Sequence, residues 1–446
     1  MKIHKSIFLL ILGFLIINFN SCQEDDNWTP VPPEDQLENR LRELYGSPDV
    51  LILPNSVEYN LIDNDPNNPI TEAKVELGKM LFHETALGTD PHHEESAGTF
   101  SCASCHHFKA GFQSGIKQGI GEGGSGFGIN GEGRHFSPDY ANEDIDVQPI
   151  RSPSILNVAF QDVMLWNGQF GAVGTNAGTE ASWTVGTPKE TNLLGFEGVE
   201  TQAIAALTVH RLGVSQELLD SGYKELFDQA FPDIPQEERY TKTTMGMAIA
   251  AYERCVLSNK APFQLWLRGD KSAMDDNELQ GANLFFGKAN CFTCHGGPGL
   301  NNMEFHALGM SDLEGPGIFM EVDAATKNGR GGFTNDPLDN FKFKTPQLYN
   351  LADVQFFGHG GSFKSIRDVV AYKNLAIPEN PNVPSSFISD KFVPLGLTDE
   401  EVDLIAIFLE NSLYDPDLGR YVPEALPSGN CFPNADAQSK IDLGCD

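Results

Sequence analysis

The sequence carries the pentapeptide Cys-x-x-Cys-His twice, at residues 102–106 (the first pentapeptide) and 291–295 (the second pentapeptide). Two cysteine sulfurs at this spacing can each form a thioether to one porphyrin, and the adjacent histidine then lies under the iron. Zinc would require a closed set of four ligands, and a thioredoxin-type redox pair would require a preceding strand. We therefore predict two covalently bound haems c. Their predicted ligands are Cys102, Cys105 and His106 in the first pentapeptide, and Cys291, Cys294 and His295 in the second.

A similar amphipathic helical pattern precedes each pentapeptide. The first pattern covers residues 71–82 and the second covers residues 276–286, and each contains a glycine followed closely by Leu-Phe. These glycines, Gly78 and Gly281, would allow a crossing helix to approach closely. A capping box at residues 398–401 predicts a further helix after the second pentapeptide.

This order of elements predicts a mainly α fold with two cytochrome-c-like helical domains, each with one covalently bound haem c and long loops. We place the N-terminal haem domain at residues 61–262 and the C-terminal haem domain, with a C-terminal tail, at residues 263–446. The Gly-rich segment at residues 119–133 matches a dinucleotide-binding pattern only formally, because no strand precedes it. We interpret this segment as a loop near the first haem.

The N-terminus has the pattern of an export signal. A basic start precedes an apolar run at residues 7–17 that is short for a membrane span, and Cys22 follows at a position typical of a lipoprotein cleavage site. Residues 1–22 are therefore predicted to be a lipoprotein signal peptide, and residues 23–60 a tether or linker. A plain signal peptide is the alternative. The predicted location is the cell envelope of a Gram-negative bacterium, with a lipid anchor in the outer membrane facing the periplasm or the cell surface.

The net charge of −32 argues against a nucleic-acid partner, because nucleic acid would be repelled. Three cysteines lie outside the pentapeptides and the signal. Cys431 and Cys445 could pair across a short loop in an oxidising compartment. Cys255 lies in a helical pattern and is interpreted as a buried free thiol.

A set of motifs in this order resembles the bacterial dihaem cytochrome c peroxidase family, which also includes MauG, the enzyme that matures methylamine dehydrogenase. The set is specific for the family, whereas two haem motifs alone are not. The motifs lie at residues 77–82, 101–106, 152–160, 166–168, 202–203, 291–295, 343–348 and 358–363. The resemblance implies that the N-terminal haem binds peroxide and that the C-terminal haem receives and relays electrons.

The resemblance also implies roles for four candidate catalytic residues. Trp166 stands where a family tryptophan couples the two haems, with a structural core tryptophan as the alternative. Gln202 begins the Gln-Ala pair of the family, but ten residues later Leu212 replaces the usual catalytic glutamate. His210 could exchange protons with bound peroxide, and Arg211 could stabilise negative charge. A solvated or propionate-binding His210 stays open.

The axial methionine that the family places on the C-terminal haem is missing as well. Counting from His359 places Tyr372 or Lys373 there, and Tyr372, as in MauG-type members, is predicted to be an iron ligand. The alternatives are an open site or a distant methionine, Met303, Met310 or Met320. A calcium ion between the domains is doubtful, because Arg151 stands where the family has asparagine.

Three functions are compatible with these residues. The first is a peroxidase that reduces hydrogen peroxide to water with electrons from a small c-type cytochrome or similar redox protein. The second is a MauG-type dihaem oxidase acting on a protein substrate, which Tyr372 favours. The third is a non-enzymatic dihaem electron-transfer cytochrome. The resemblance is also compatible with a homodimer.

Overall fold

The computed structural model describes residues 31–445, and the predicted signal peptide with Cys22 lies outside the described residues. Helices dominate, which confirms a mainly helical fold. The α-helices are α1 (Pro33–Tyr45), α2 (Glu72–His83), α3 (Gly198–Val209), α4 (Gln216–Leu218), α5 (Lys224–Ala230), α6 (Lys242–Arg254), α7 (Pro262–Leu267), α8 (Asp276–Phe285), α9 (Ala324–Lys327), α10 (Arg330–Thr334), α11 (Ile366–Leu375), α12 (Asp399–Ile407) and α13 (Ala437–Leu443). None of the helices between residues 31 and 445 has the length and apolar character needed to cross a membrane.

Strands are short and form two antiparallel ribbons in the described part of the chain. They are β1 (Gly124–Ser125) with β2 (His135–Phe136), and β3 (Phe305–His306) with β4 (Phe343–Lys344). The ribbons lie within the long loops that follow each pentapeptide. These loops, rather than the helices, carry most of the polar residues described below.

Helix α2 crosses α6 at Gly78, as its sequence pattern predicted. A Cβ atom added to Gly78 would lie 1.9 Å from the carbonyl oxygen of Ala248 in α6, so a side chain cannot fit there. Helix α2 begins after Thr71, whose hydroxyl accepts a hydrogen bond from the backbone N–H of Lys74 at 3.3 Å. The crossing brings the end of α2 close to the first pentapeptide.

Helices α8 and α12 repeat this arrangement in the second half. A Cβ atom added to Gly281 would lie 2.1 Å from the carbonyl oxygen of Leu404 in α12. Capping boxes begin both helices, one at Asp275 and the predicted one at Thr398, whose hydroxyl accepts a hydrogen bond from the Glu401 N–H. Both halves therefore place a close helix crossing before their pentapeptide.

The protein has two main hydrophobic cores, and the two ends of the described chain cross between them. The first core holds α2, α3, α5 and α6, and the second holds α7, α8, α11 and α12. Leu37 and Leu41 of α1 are buried in the second core, so the tether predicted over residues 23–60 is wrong from α1 onward. Leu418 and Tyr421, assigned from sequence to the C-terminal domain, are buried in the first core.

The C-terminal tail is hydrogen-bonded to the first pentapeptide and the residue before it. The predicted disulfide between Cys431 and Cys445 is present. The carbonyl oxygen of Pro433 accepts hydrogen bonds from the hydroxyls of Ser101 at 2.9 Å and Ser104 at 3.2 Å. The tail therefore stabilises the turn that carries the first two predicted haem cysteines.

Candidate active site

The first pentapeptide begins with a short 3-10 turn, Cys102–Ser104, and ends with a histidine held by the backbone. The Nδ1 atom of His106 lies 3.3 Å from the carbonyl oxygen of Phe112. A carbonyl only accepts hydrogen bonds, so Nδ1 carries the proton and Nε2 keeps its lone pair. Burial lowers the pKa of His106 to about 4, which keeps the imidazole neutral, as an iron ligand must be.

The second pentapeptide holds its histidine in the same state. The Nδ1 atom of His295 lies 3.1 Å from the carbonyl oxygens of both Leu300 and Pro346. Burial lowers the pKa of His295 to about 4. Both histidines thus have the tautomer that a haem iron requires, with the orienting hydrogen bond already made.

The cysteines of both pentapeptides are free thiols, namely Cys102, Cys105, Cys291 and Cys294. Burial raises the pKa of Cys102, Cys105 and Cys291 to about 12. A thioredoxin-type pair needs the opposite shift, because its reactive form is the thiolate. The donor set therefore fits thioether attachment of haem better than redox exchange. Cys255 is also buried and free, as predicted.

A cavity of about 590 Å³ lies beside the second pentapeptide. Its wall includes Cys291, Cys294 and His295, together with Trp166 and Arg151 from the first half of the chain. Most of the wall is apolar, with a few polar groups, as in other sites for large flat ligands. The volume, the mostly apolar wall and the donors of this cavity fit a porphyrin.

Cationic side chains lie in the wall of the same cavity. Burial lowers the pKa of Arg151 to about 9 and the pKa of Lys344 and Lys373 to about 8. Between residues 31 and 445 Arg151 has no carboxylate partner, and it donates hydrogen bonds to the Gln113 side chain at 3.2 Å and the Ile116 carbonyl at 3.4 Å. A buried cation without a counter-ion is costly, so the cavity favours an anionic group such as a haem propionate.

Tyr372 and Lys373, the two candidate iron ligands, lie on different faces of α11. The residues of α11 that line the cavity are Ile366, Val369, Val370 and Lys373. Tyr372 lies on another face, where its hydroxyl donates a hydrogen bond to the carbonyl of Leu308 at 2.7 Å and its ring packs on Phe363. The structure therefore does not support Tyr372 as an iron ligand, because Tyr372 does not line the cavity and its hydroxyl is already engaged by a backbone carbonyl.

Trp166 lies between residues that neighbour the first pentapeptide and residues that line the cavity of the second. Its indole N–H donates a hydrogen bond to the carbonyl of Arg151 at 2.8 Å, and its ring lies 6.3 Å from the ring of His359. His359 lines the cavity of the second pentapeptide. On the other side, the backbone of Pro153, two residues after Arg151, interacts with His106. This position fits a residue that couples two redox groups.

Two residues that follow α3 each bind a buried carboxylate. Nδ1 of His210 lies 2.7 Å from Oδ2 of Asp146, and Nε of Arg211 lies 2.7 Å from Oε2 of Glu122. Burial lowers the pKa of His210, but the Asp146 carboxylate outweighs burial, so this pKa is raised overall. The Nη2 atom of Arg211 is buried and donates to no residue in the described part of the chain. We name these four residues the acid–base cluster.

The acid–base cluster lies beside the first pentapeptide. A Cβ atom on Gly119 would lie 3.0 Å from Sγ of Cys105, and one on Gly121 would lie 2.5 Å from Oδ2 of Asp146. The charge of His210 also contributes to the lowered pKa of His106. The Gly-rich segment is therefore packed between the cluster and the pentapeptide, and only residues without side chains leave room for that contact.

Gln202 and Leu212 do not belong to the acid–base cluster. Gln202 lies half-buried on α3, and its side chain makes no hydrogen bond within residues 31–445. Leu212 is buried, and its backbone pairs with Gly88. The sequence analysis missed Glu122 and Asp146. Glu122 is an acidic residue within the Gly-rich segment, which is a signal that could have identified it, whereas Asp146 follows Glu143 and Asp144 and carries no such signal.

Side chains give no support for a calcium site in the described part of the chain. The cluster of potential metal ligands found there consists of Cys294, Glu304 and His306. One carboxylate with a thiol and an imidazole differs from the oxygen ligands that calcium prefers. Arg151, where the family has asparagine, is a buried cation.

The known proteins that this chain is similar to are cytochrome c peroxidases and MauG-type proteins. Residues 72–272 match a family model described as di-haem cytochrome c peroxidase. Cytochrome-c peroxidase IdrP1 of Denitromonas iodatirespirans is 28% identical over 374 residues, which cover 78% of this chain and 84% of that protein. Methylamine utilization protein MauG of Methylorubrum extorquens is 26% identical over 351 residues, covering 78% and 80%. The crystal structure of a MauG-like protein associated with microbial copper homeostasis has a TM-score of 0.57 and 25% identity, covering 82% of this chain and 95% of that chain.

Proposed function

Because this chain belongs to the di-haem cytochrome c peroxidase family, which includes MauG, we propose that it is a peroxidase that reduces hydrogen peroxide to water. One peroxide molecule takes up two electrons and two protons and gives two water molecules. The proposal assigns one covalent haem c to each pentapeptide, with His106 and His295 as proximal iron ligands. The haems supply one-electron chemistry, and the side chains of the protein supply protons and position the substrate.

The acid–base cluster is the observation that carries this proposal. Peroxide reduction requires a group that accepts a proton from one oxygen and donates it to the leaving oxygen. His210 suits that role because the Asp146 carboxylate raises its pKa above the ordinary value of 6.5, so that the imidazole holds a proton that it can donate. Arg211 has a buried, unpaired Nη2 that can donate to an oxygen on which negative charge develops. His210 and Arg211 are thus the proposed catalytic residues.

Electrons are proposed to enter at the second pentapeptide and to pass Trp166 on their way to the first. Trp166 lies in the cavity wall, and its hydrogen bond to Arg151 fixes the ring. The donor is proposed to be a small c-type cytochrome or similar redox protein. The net charge of −32 would attract a donor with a basic surface and increase its association rate at low salt.

Steady-state turnover of hydrogen peroxide with a reduced c-type cytochrome tests the proposal. We expect wild-type protein to oxidise two donor molecules per peroxide. The variant His210→Gln should lose about 10²- to 10⁴-fold in kcat/KM for peroxide, the range typical of a general acid–base group. A matched control is Lys224→Ala, which breaks the more exposed Lys224–Asp228 ion pair at 2.8 Å in the same half. Equal activity of His210→Gln and the control would contradict the assignment.

The two alternatives have less support. A MauG-type oxidase was favoured by Tyr372, but the hydroxyl of this residue donates to the Leu308 carbonyl and Tyr372 does not line the cavity. A non-enzymatic electron carrier would have no use for an acid–base cluster with an unpaired guanidinium nitrogen. Wild-type protein that oxidises a partner protein with peroxide but turns over no small donor would favour the MauG-type function.

We also propose that the chain is exported and lipid-anchored at Cys22 in the envelope of a Gram-negative bacterium. The disulfide between Cys431 and Cys445 supports an oxidising compartment. Metabolic labelling with a radioactive fatty acid should mark the wild-type protein and leave Cys22→Ser unmarked. Equal labelling of both proteins would contradict the anchor, and the absence of label from both would favour a plain signal peptide.

A further inference from the structure

We propose that Lys373 is the sixth ligand of the iron on the second pentapeptide, opposite His295. The inference deepens the proposed function and rests on the haem that it assigns to Cys291 and Cys294. The ligand would be the lone pair of the neutral Nζ atom, and the proton of the ammonium form would be released to solvent. No electron is transferred when this bond forms.

Lys373 continues the face of α11 that lines the cavity. The cavity-lining residues of this helix follow the spacing i, i+3, i+4 and i+7, which defines one helix face. They are Ile366, Val369, Val370 and Lys373. A lysine at the end of an otherwise apolar face that lines a cavity needs a specific reason, because a desolvated ammonium group is costly.

The amine of Lys373 lies near the second pentapeptide and has no polar partner within residues 31–445. Lys373 lies close enough to the second pentapeptide that its charge acts on both Cys291 and His295. Its Nζ makes no hydrogen bond or ion pair within residues 31–445, and its described contact is with the face of the Phe392 ring at 5.7 Å. Iron would provide the partner that the protein itself does not provide.

Other lysines of the same cavity wall behave differently. Nζ of Lys391 lies 2.6 Å from the Glu304 carboxylate, and Nζ of Lys344 donates a hydrogen bond to the Gln161 side chain. Both amines are therefore already satisfied. Lys327, the remaining lysine of the wall, is exposed to solvent. Among the lysines of the wall, Lys373 is therefore the one whose amine is desolvated and has no partner within residues 31–445.

The competing ligands in the wall are less suitable. The ring of His359 is held against Phe343, with centroids 3.7 Å apart and planes at 9°. Its buried Nε2 makes no hydrogen bond within residues 31–445, but it faces the Asp312 carboxylate at 3.7 Å. Met310 also lines the cavity, but it lies on a loop rather than on the helix face that carries Lys373. An amine donor stabilises ferric iron more than a thioether does, so Lys373 would lower the midpoint potential relative to a methionine ligand.

The test is spectroscopic and uses the mature, haem-loaded protein. Mass spectrometry first establishes the number of attached haems, because a missing haem at the second pentapeptide would overturn the proposed function itself. Electron paramagnetic resonance and near-infrared spectra of the ferric protein then report the ligand. We expect a low-spin haem with two nitrogen ligands in wild type, and conversion of that haem to a high-spin form in Lys373→Ala.

Lys373→Met provides the second variant, because a thioether can replace the amine. We expect a sulfur-to-iron charge-transfer band and a shift of the midpoint potential to a higher value. Tyr372→Phe and Met310→Leu are the matched controls and should keep the wild-type spectrum. An unchanged spectrum in Lys373→Ala with both haems attached would overturn the inference, and so would a loss of the low-spin signal in Met310→Leu or Tyr372→Phe.

Discussion

Nδ1 of His210 lies 2.7 Å from Oδ2 of Asp146, although 64 residues separate the two in the chain. The contact joins the end of α3 to the loop that follows the Gly-rich segment. Burial raises the pKa of Asp146, but the charge and hydrogen bond of His210, together with the charge of Arg211, outweigh burial and lower this pKa overall. Each partner therefore stabilises the charged form of the other.

The variant Asp146→Asn should make the stability of the protein depend less on pH. The pKa of His210 is raised above its ordinary value of 6.5 in the folded protein. The resulting stabilisation is complete below pH 6.5 and is lost as pH rises through the folded pKa. Thermal unfolding of both proteins over this pH range should therefore show the largest difference on the acidic side. A difference that does not vary with pH would contradict the ion pair.

The backbone of Arg211 predicts a difference between two truncations. Arg211 has φ +55 and occupies the left-handed position after α3, with the Leu212 N–H bound to the Leu207 carbonyl at 2.8 Å. Arg211→Ala and Arg211→Gly both remove the guanidinium from Glu122. Only glycine also relieves the left-handed strain, so Arg211→Gly should be more stable than Arg211→Ala by about 1 kcal/mol. Urea unfolding measures the difference, and equal stability would contradict it.

The close helix crossings make Gly78 and Gly281 intolerant of a methyl group. Gly78→Ala and Gly281→Ala should each lower the free energy of unfolding by about 1–3 kcal/mol, because the added carbon meets a backbone carbonyl that cannot move alone. Gly419→Ala is the control, since its Cβ would meet only the Phe108 ring at 3.7 Å. Chemical unfolding of the three variants checks this, and a control as unstable as the other two would contradict the packing argument.

These crossings were predictable because the signal is local. A glycine on an amphipathic helix, followed by Leu-Phe, predicts that another helix packs closely there, although it does not indicate which helix. The capping box at Thr398 and the pairing of Cys431 with Cys445 are local in the same sense. Such patterns need no knowledge of how distant parts of the chain meet.

Loss of the disulfide should destabilise the tail and the turn that it supports. The sequence separation of Cys431 and Cys445 is 14 residues. Opening a loop of this size costs about 3 kcal/mol through the entropy of the unfolded chain. Cys431→Ser should therefore melt at a lower temperature than wild type in differential scanning calorimetry. A reductant should lower the wild-type melting temperature to that of the variant, and a further decrease in the variant would contradict this explanation.

The partners in the acid–base cluster were not predictable in the same way. Glu122 lies 89 residues before Arg211, and both belong to segments without regular periodicity. Their contact depends on how a long loop returns to the end of α3. The choice between Tyr372 and Lys373 was accessible, however, because Ile366, Val369 and Val370 define an apolar stripe that position 373 continues and position 372 does not.

The crossing of the two ends between the cores has a consequence for biogenesis. Helix α1 completes the second core, while Pro433 supports the first pentapeptide through hydrogen bonds that span 332 and 329 residues. During synthesis α1 therefore lacks its core until the second half has formed, and the first pentapeptide lacks its Pro433 contacts until the last residues emerge. Products of interrupted translation would expose apolar surface and be removed by proteases, so only polypeptides with both ends present would mature.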